Sequence, residues 1–284
     1  MISMLTQPGD SILVPVPTYG PLIGLVADND RRIIRSPLRQ GDDGRFHLDV
    51  DDMESRLEPG TRLAVFCNPA NPVGRVYSQD ELGALASLAE RRNLTVIADE
   101  VHMDLVMPGN THVPYSSVGG DRSVTVISPN KPFNTAGIPQ ATLIMPSEEL
   151  RRRYRHFLDV TQLNHDTTFG AEAMIAGYRH CGDWLDEVVR YIAGNHQHAA
   201  DFIQDQVPDV HKVPAEATYL AWLDFRETGL KQDVIMDRLV NVGGVGLYSG
   251  TEFGEEGIGF FRMNIACARS QLDHGLDGIR RAIA

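Results

Sequence analysis

Short apolar runs alternate along this chain with longer segments whose apolar residues recur at helical spacing. The runs are SILVPVP from Ser11, RRIIRSPL from Arg31, Leu63–Cys67, Leu94–Ala98 and Val124–Ile127. Consecutive apolar, often β-branched residues are the pattern of strands sealed on both faces. Between them, TYGPLIGLVADND begins a helix, and Asp49 is a plausible N-cap for a short one reaching Leu57. Ser78–Arg92 predicts an amphipathic helix, with Ser78 and Glu81 at capping-box spacing and Leu82, Leu85, Ala86 and Ala89 along one face. Strand, helix, strand at this spacing is a parallel βαβ unit, so the fold class is α/β with a mostly parallel sheet flanked by helices.

Further helices are predicted over LRRRYRHFLDV, over HDTTFGAEAMIAGYRHCG as far as Gly182, and from Asp183 until just before Pro208. At the other end, MISMLTQPGD reads as the last turn of a helix running into a turn at Pro8-Gly9, a helix that looks cut rather than started.

Composition narrows the function classes. With 284 residues the chain can bury a large core, and 42% hydrophobic with 23% charged residues is ordinary for a soluble globular protein. A formal net charge of -12 argues against nucleic acid as a partner. There is no apolar run of membrane-spanning length and no signal peptide, so no membrane partner is expected. Cys67, Cys181 and Cys267 have no metal-type spacing, so no metal is expected, and they suit a reducing, cytoplasmic setting.

The chemistry gathers where three apolar runs end. After Val124–Ile127, the residues Ser128, Pro129 and Asn130 break the strand and Lys131 follows. Asn68-Pro69-Ala70-Asn71-Pro72 is a stiff loop that aims the Asn71 amide, and either Asn–Pro bond can be cis. Asp99 closes the Leu94–Ala98 strand, with Glu100 and His102 just beyond. An amide, a carboxylate and an amine on one edge of one sheet form the set that pyridoxal phosphate needs. A lysine takes the aldehyde, an acid keeps the ring nitrogen protonated, and a polar group meets the phenolic oxygen.

These stretches carry a family resemblance. NPANPVG resembles the NPxNPTG loop of fold-type I pyridoxal-phosphate enzymes of the class I/II aminotransferase family, with Val73 for Thr. ADEVHMD and SPNKPFN are similar to the DE(I/V)HMD and S-x-S-K-x-F-N motifs of the family's cystathionine β-lyase (carbon–sulfur lyase) branch. ATYLAWLDFR and FGEEGIGFFRMNIACARS resemble the branch's closing segments, so the likeness runs end to end.

The resemblance implies roles. Lys131 is expected to hold the cofactor aldehyde and act as the catalytic base, and Asp99 to partner the ring nitrogen. Asn71 and His102 are expected at the phenolic oxygen, Tyr19 against the ring, Ser128 at the phosphate, and Arg262 on the substrate's α-carboxylate. Departures are Pro139, where many aminotransferases have a phosphate-binding Arg, Asn134 for a common Gly, and Asn130 and Pro132 for Ser and Thr. An aspartate-aminotransferase-like large domain over residues 1–195 is expected, with a smaller α+β domain over 196–284. The small domain is built from TYLAWLDF, DVIMDRLVNVG, FFRMNIA and a last helix.

The implied reaction is β-elimination from a small amino-acid thioether to give pyruvate, ammonia and a thiol, by a homodimeric enzyme. The alternatives are an aminotransferase that passes the amino group to a 2-oxo acid, or a catalytically weak, amino-terminally truncated relative. In that last case the chain lacks the family's phosphate-holding helix start, its amino-terminal arm and one strand. Weak cofactor binding is then the expectation.

Overall fold

The computed structural model describes residues 1–163 and 167–284. The amino-terminal part runs α1 (Ile2–Leu5), β1 (Ser11–Val16), α2 (Gly20–Asp28), β2 (Arg32–Pro37), a hairpin of β3 (Arg39–Gln40) and β4 (Phe46–His47), and α3 (Val50–Arg56). Next come β5 (Leu63–Cys67), α4 (Gln79–Arg92), β6 (Thr95–Asp99), β7 (Ser123–Ile127), β8 (Thr142–Ile144), α5 (Glu148–Thr161), α6 (Thr168–His180) and α7 (Gly182–Gln206). The chain finishes with β9 (His211–Lys212), β10 (Leu220–Asp224), α8 (Gln232–Arg238), β11 (Tyr248–Ser249), β12 (Phe260–Asn264) and α9 (Arg269–Ile283).

Two sheets organise the molecule. The larger has the order β2-β1-β5-β6-β7-β8. Its first five strands are parallel, and β8 runs antiparallel to β7. Every residue of β1 and β5 is buried, as a sheet covered on both faces requires. One face packs Leu13, Phe66, Val96 and Ala98 against Leu82, Leu85 and Leu88 of α4. The other packs Ile12, Val14, Val65 and Ile97 against Leu22, Val26 and Leu150. The capping box of α4 is formed in both directions between Ser78 and Glu81. Asp49 caps α3 by accepting from the Asp52 N–H.

The smaller sheet, β11-β12-β10-β9, is antiparallel. Leu272, Leu276 and Ile279, one helical turn apart on α9, seal it together with Ala199 and Ile203 of α7. Trp222 and Phe260 point the other way and join the core of the large sheet, their rings stacked at 5.2 Å. The two lobes therefore share apolar packing. The position after residue 195, where a division is expected, falls inside α7.

Two local differences from the sequence reading have simple causes. The helix expected to run to Gly182 stops at His180, because Cys181 leaves helical geometry (φ -114, ψ 22) and Gly182 begins α7. Its expected start at His165 and Asp166 lies outside the described residues. The antiparallel β8 has only three residues and no alternation to announce it.

Candidate active site

The parallel strands all deliver their C-terminal ends to one edge of the large sheet. Tyr19 follows β1, Asn71 follows β5, Asp99 ends β6 with His102 one turn on, and Lys131 follows β7. At the β1/β5 boundary the chain order diverges, with β2 on one side and β6 and β7 on the other. Crevices at such a switch point are where open α/β sheets take ligands.

Tyr19 is the N-cap residue of α2, and the next residue has to be glycine. A Cβ on Gly20 would stand 2.2 Å from the Glu252 carbonyl oxygen, so the helix start closes directly on the small-sheet lobe. The Thr18 N–H donates to the Phe253 carbonyl at 3.0 Å across the same seam.

Asn71 is buried, and its Oδ1 accepts from Arg262 Nη1 at 3.0 Å. That leaves the Asn71 amide N–H groups for a ligand oxygen. Arg262, on β12, is clamped between the rings of Tyr248 and Phe253, 4.7 and 4.6 Å from their centroids. Its Nε is buried without a partner among the described residues, and burial lowers the guanidinium pKa from its ordinary value. Both Asn–Pro bonds of the loop, at Pro69 and Pro72, are cis.

The Asp99 carboxylate has one hydrogen bond among the described residues, accepted by Oδ1 from the Val101 N–H at 3.3 Å. Burial raises its pKa to about 6, against the opposing pull of that bond and of the Lys131 charge. His102 is buried edge-on to Tyr219, with 5.8 Å between ring centroids. Burial first, then the charges of Lys131 and Arg262, push its pKa down to about 3, so the ring is neutral, and Nδ1 has no partner. Lys131 is half-buried on its turn and makes no hydrogen bond or ion pair among the described residues. Asn134, three residues later, adopts the left-handed conformation (φ 53), which Asn tolerates better than most residues and Gly most easily.

Ser128 is different. Its hydroxyl donates to the Gln140 carbonyl at 2.6 Å and accepts from the Asn130 N–H at 3.2 Å. The proton a phosphate oxygen would need is already committed.

Sequence reasoning gave no role to four residues at this edge. Glu100 is fully buried, accepting from the Tyr115 N–H at 2.7 Å and pairing with His112 Nε2 at 2.9 Å. Tyr248, on β11, and Phe253, the first residue of the FGEEGIGFFRMNIACARS stretch, flank Arg262 without having been given a role. The Cys67 thiol lies beneath the crevice, within 3.7 Å of the Thr18 hydroxyl. Burial, reinforced by Asp99, pushes it up to about 12, which makes it inert as a nucleophile.

Comparison with known proteins decides the family. The profile of the "Aminotransferase class I and II" family matches residues 1–279. The chain belongs to that family. Cystathionine beta-lyase PatB of Bacillus subtilis is 36% identical, covering 100% of this chain and 74% of its own length. Cystalysin from Treponema denticola, whose structure contains a pyridoxal 5'-phosphate cofactor, superposes with a TM-score of 0.94 at 31% identity, over 99% of this chain and 72% of that one. A pyridoxal-phosphate-bound C-S lyase from Staphylococcus hominis superposes with a TM-score of 0.92 at 28% identity, over 98% and 73%.

The donor set fits the ring half of the family's cofactor. Among the described residues, a desolvated carboxylate without a cation in hydrogen-bond contact suits a protonated ring nitrogen, and the unpartnered Nδ1 of His102 and the amide N–H groups of Asn71 suit its oxygen. The phosphate half has Ser128 alone among the residues singled out from the sequence, with its hydroxyl engaged as described.

Proposed function

We propose that this chain is a pyridoxal-phosphate-dependent carbon–sulfur β-lyase, cleaving cystathionine- or cysteine-type thioethers to pyruvate, ammonia and a thiol. The observation that carries the reading is the convergence of Asn71, Asp99 and Lys131 at the ends of three adjacent parallel strands, with Arg262 reaching in from the second sheet. The likeness to a cystathionine beta-lyase over the whole chain supports it.

Bound pyridoxal phosphate supplies an electron sink for the pair left behind at the substrate's α-carbon. The protein's own groups do the rest. Arg262, its plane set by two rings, grips the α-carboxylate and fixes which α-bond faces the crevice. Lys131 is the base that would take the α-proton and hold it at Nζ beside the departing sulfur. Asp99 would keep a proton on the ring nitrogen. Asn71 and the neutral His102 would hold the phenolic oxygen, Tyr19 would lie against the ring, and Ser128 would have to give up its bond to Gln140 to serve the phosphate.

In this reading residues 1–195 form the cofactor-binding domain and 196–284 the small domain. The enzyme works in the cytoplasm, as three free thiols suggest, and as a homodimer. Exposed Leu163, Phe169 and Trp184 supply apolar surface for a second subunit. The test is incubation with cystathionine and pyridoxal phosphate, assaying pyruvate with and without an added 2-oxo acid. Pyruvate without the oxo acid is the expected result. Turnover only in its presence replaces the lyase with an aminotransferase.

A further inference from the structure

The chain contains three lysines, Lys131, Lys212 and Lys231. Lys212 lies in the small-sheet lobe, away from the strand ends that form the crevice. It sits on the edge strand β9, paired with β10 through Leu223, while its neighbour His211 pairs with Asp224. Alternation along the strand turns the exposed His211 outward, where it meets Glu227 at 2.8 Å, and turns Lys212 inward against α7.

The inward position gives the amine almost nothing to bind. Its one hydrogen bond runs to the Val213 carbonyl at a long 3.4 Å, and no carboxylate pairs with it among the described residues. Beside it lies a cavity of about 390 Å³ walled by Ala200, Ile203, Gln204, Pro208, Val210 and the ion-paired His211. The nearest titratable group on α7 is His196, a buried ring whose Nε2 lies 3.1 Å from the Thr218 carbonyl and whose pKa burial pushes down to about 3. It offers no negative charge either.

An ammonium in such a place loses water without gaining a counter-charge, so the neutral amine is favoured. Burial accordingly brings Lys212 down to about 8. A pKa there leaves roughly a tenth of the amine unprotonated, and nucleophilic, at pH 7.

We propose that Lys212 is a second carbonyl-reactive amine of this protein, forming an imine with short, uncharged aliphatic aldehydes that enter the cavity beside α7. The neutral Nζ adds to the carbonyl carbon, the carbonyl oxygen leaves as water, and a C=N bond replaces C=O. No oxidant or reductant is needed. Walls that are mostly aliphatic, with Gln204 and His211 as the polar members and no arginine or second lysine among the lining residues, favour an uncharged aldehyde over a 2-oxo acid.

The site is tested on the full chain at pH 7 with propionaldehyde, trapping the imine with cyanoborohydride and mapping the modified peptides by mass. Lys212 is expected to be alkylated about tenfold faster than the exposed Lys231, and the preference should vanish when the chain is unfolded in urea. Pyruvate under the same conditions should label Lys212 more slowly than propionaldehyde. Equal labelling of the two lysines in the folded chain, or labelling of Lys231 alone, overturns the proposal. A Gln204→Trp variant, which fills the cavity mouth without touching the amine, should suppress the Lys212 adduct while sparing Lys231. Undiminished labelling of Lys212 in a folded Gln204→Trp protein would also count against it.

Discussion

Arg262 and Asn71 are 191 residues apart in sequence, and the Nη1 of one donates to the Oδ1 of the other at 3.0 Å. The bond joins the second sheet to the loop after β5 and sets the guanidinium at the mouth of the crevice. A charge-assisted bond of this kind contributes about 2 kcal/mol, and the same guanidinium is assigned to the substrate carboxylate. Arg262→Ala should therefore raise KM for a thioether substrate by about 30-fold, with a smaller effect on kcat. Arg262→Lys should recover little, because an ammonium lacks the fork and does not lie flat between Tyr248 and Phe253. Steady-state kinetics on both variants decide the point, and an unchanged KM in Arg262→Ala would remove the arginine from substrate binding.

Among the described residues Lys131 has no hydrogen bond or ion pair to lose, so Lys131→Ala should leave the fold intact, with a stability change within about 0.5 kcal/mol. Its visible cofactor absorption should disappear. In the unsubstituted chain, borohydride reduction with stoichiometric pyridoxal phosphate should fix the cofactor on the peptide containing Lys131. Recovery of the cofactor on another peptide would assign the aldehyde to a different amine.

The central sheet was legible because its strands are buried on both faces, so LAVFC and SILVPV advertise themselves without any partner in view. The α4 start was legible for a local reason too, since both halves of a capping box lie within four residues. The crevice edge followed once β5, β6 and β7 were read as adjacent and parallel. What remained hidden depends on contacts between distant segments. His102 against Tyr219, and Arg262 between Tyr248 and Phe253, arise only when the second sheet docks. Ser128 shows the reverse problem, because a motif position says nothing of the Gln140 carbonyl that holds its hydroxyl.

Asp99 makes stability depend on pH in an unusual direction. Its folded pKa of about 6 exceeds the unfolded value of 3.8, so the folded state holds the extra proton between them. The stability this provides is fully present below pH 3.8 and is lost as pH rises through 6, by about 3 kcal/mol. His102, with a folded pKa near 3 against 6.5 unfolded, works oppositely, contributing stability above pH 6.5 that is lost as pH falls. Comparing Asp99→Asn with the parent cancels the histidine. Without cofactor, the variant should gain on the parent by about 2 kcal/mol between pH 4 and pH 7 in urea unfolding, the rest of the about 3 kcal/mol lying outside that range, while losing lyase activity. A difference that stays constant across that range would show that Asp99 is not desolvated.

Glu100 and His112 form the latch behind this carboxylate. Glu100 is wholly buried, its N–H donates to the Val126 carbonyl at 2.8 Å, and its side chain holds the Tyr115 N–H and His112 Nε2. Two strand ends and the 112–115 segment are thus tied at one residue that directly follows Asp99. Removing one member leaves the other charge or dipole buried and unpaired, so His112→Ala should cost about 3 kcal/mol. Glu100→Gln keeps the shape and an acceptor for Tyr115, and should cost less. Because the two side chains spend their bonds on each other, the double variant should be less destabilised than the sum of the singles, with a coupling of at least about 1 kcal/mol. Urea unfolding of the four proteins completes the cycle. The crevice should register the same loss, since a displaced Asp99 no longer meets the ring nitrogen, and cofactor absorption in His112→Ala should shift even where the protein stays folded. Strict additivity in the cycle together with an unshifted spectrum would show that the pair is packing alone and holds nothing in place for the site.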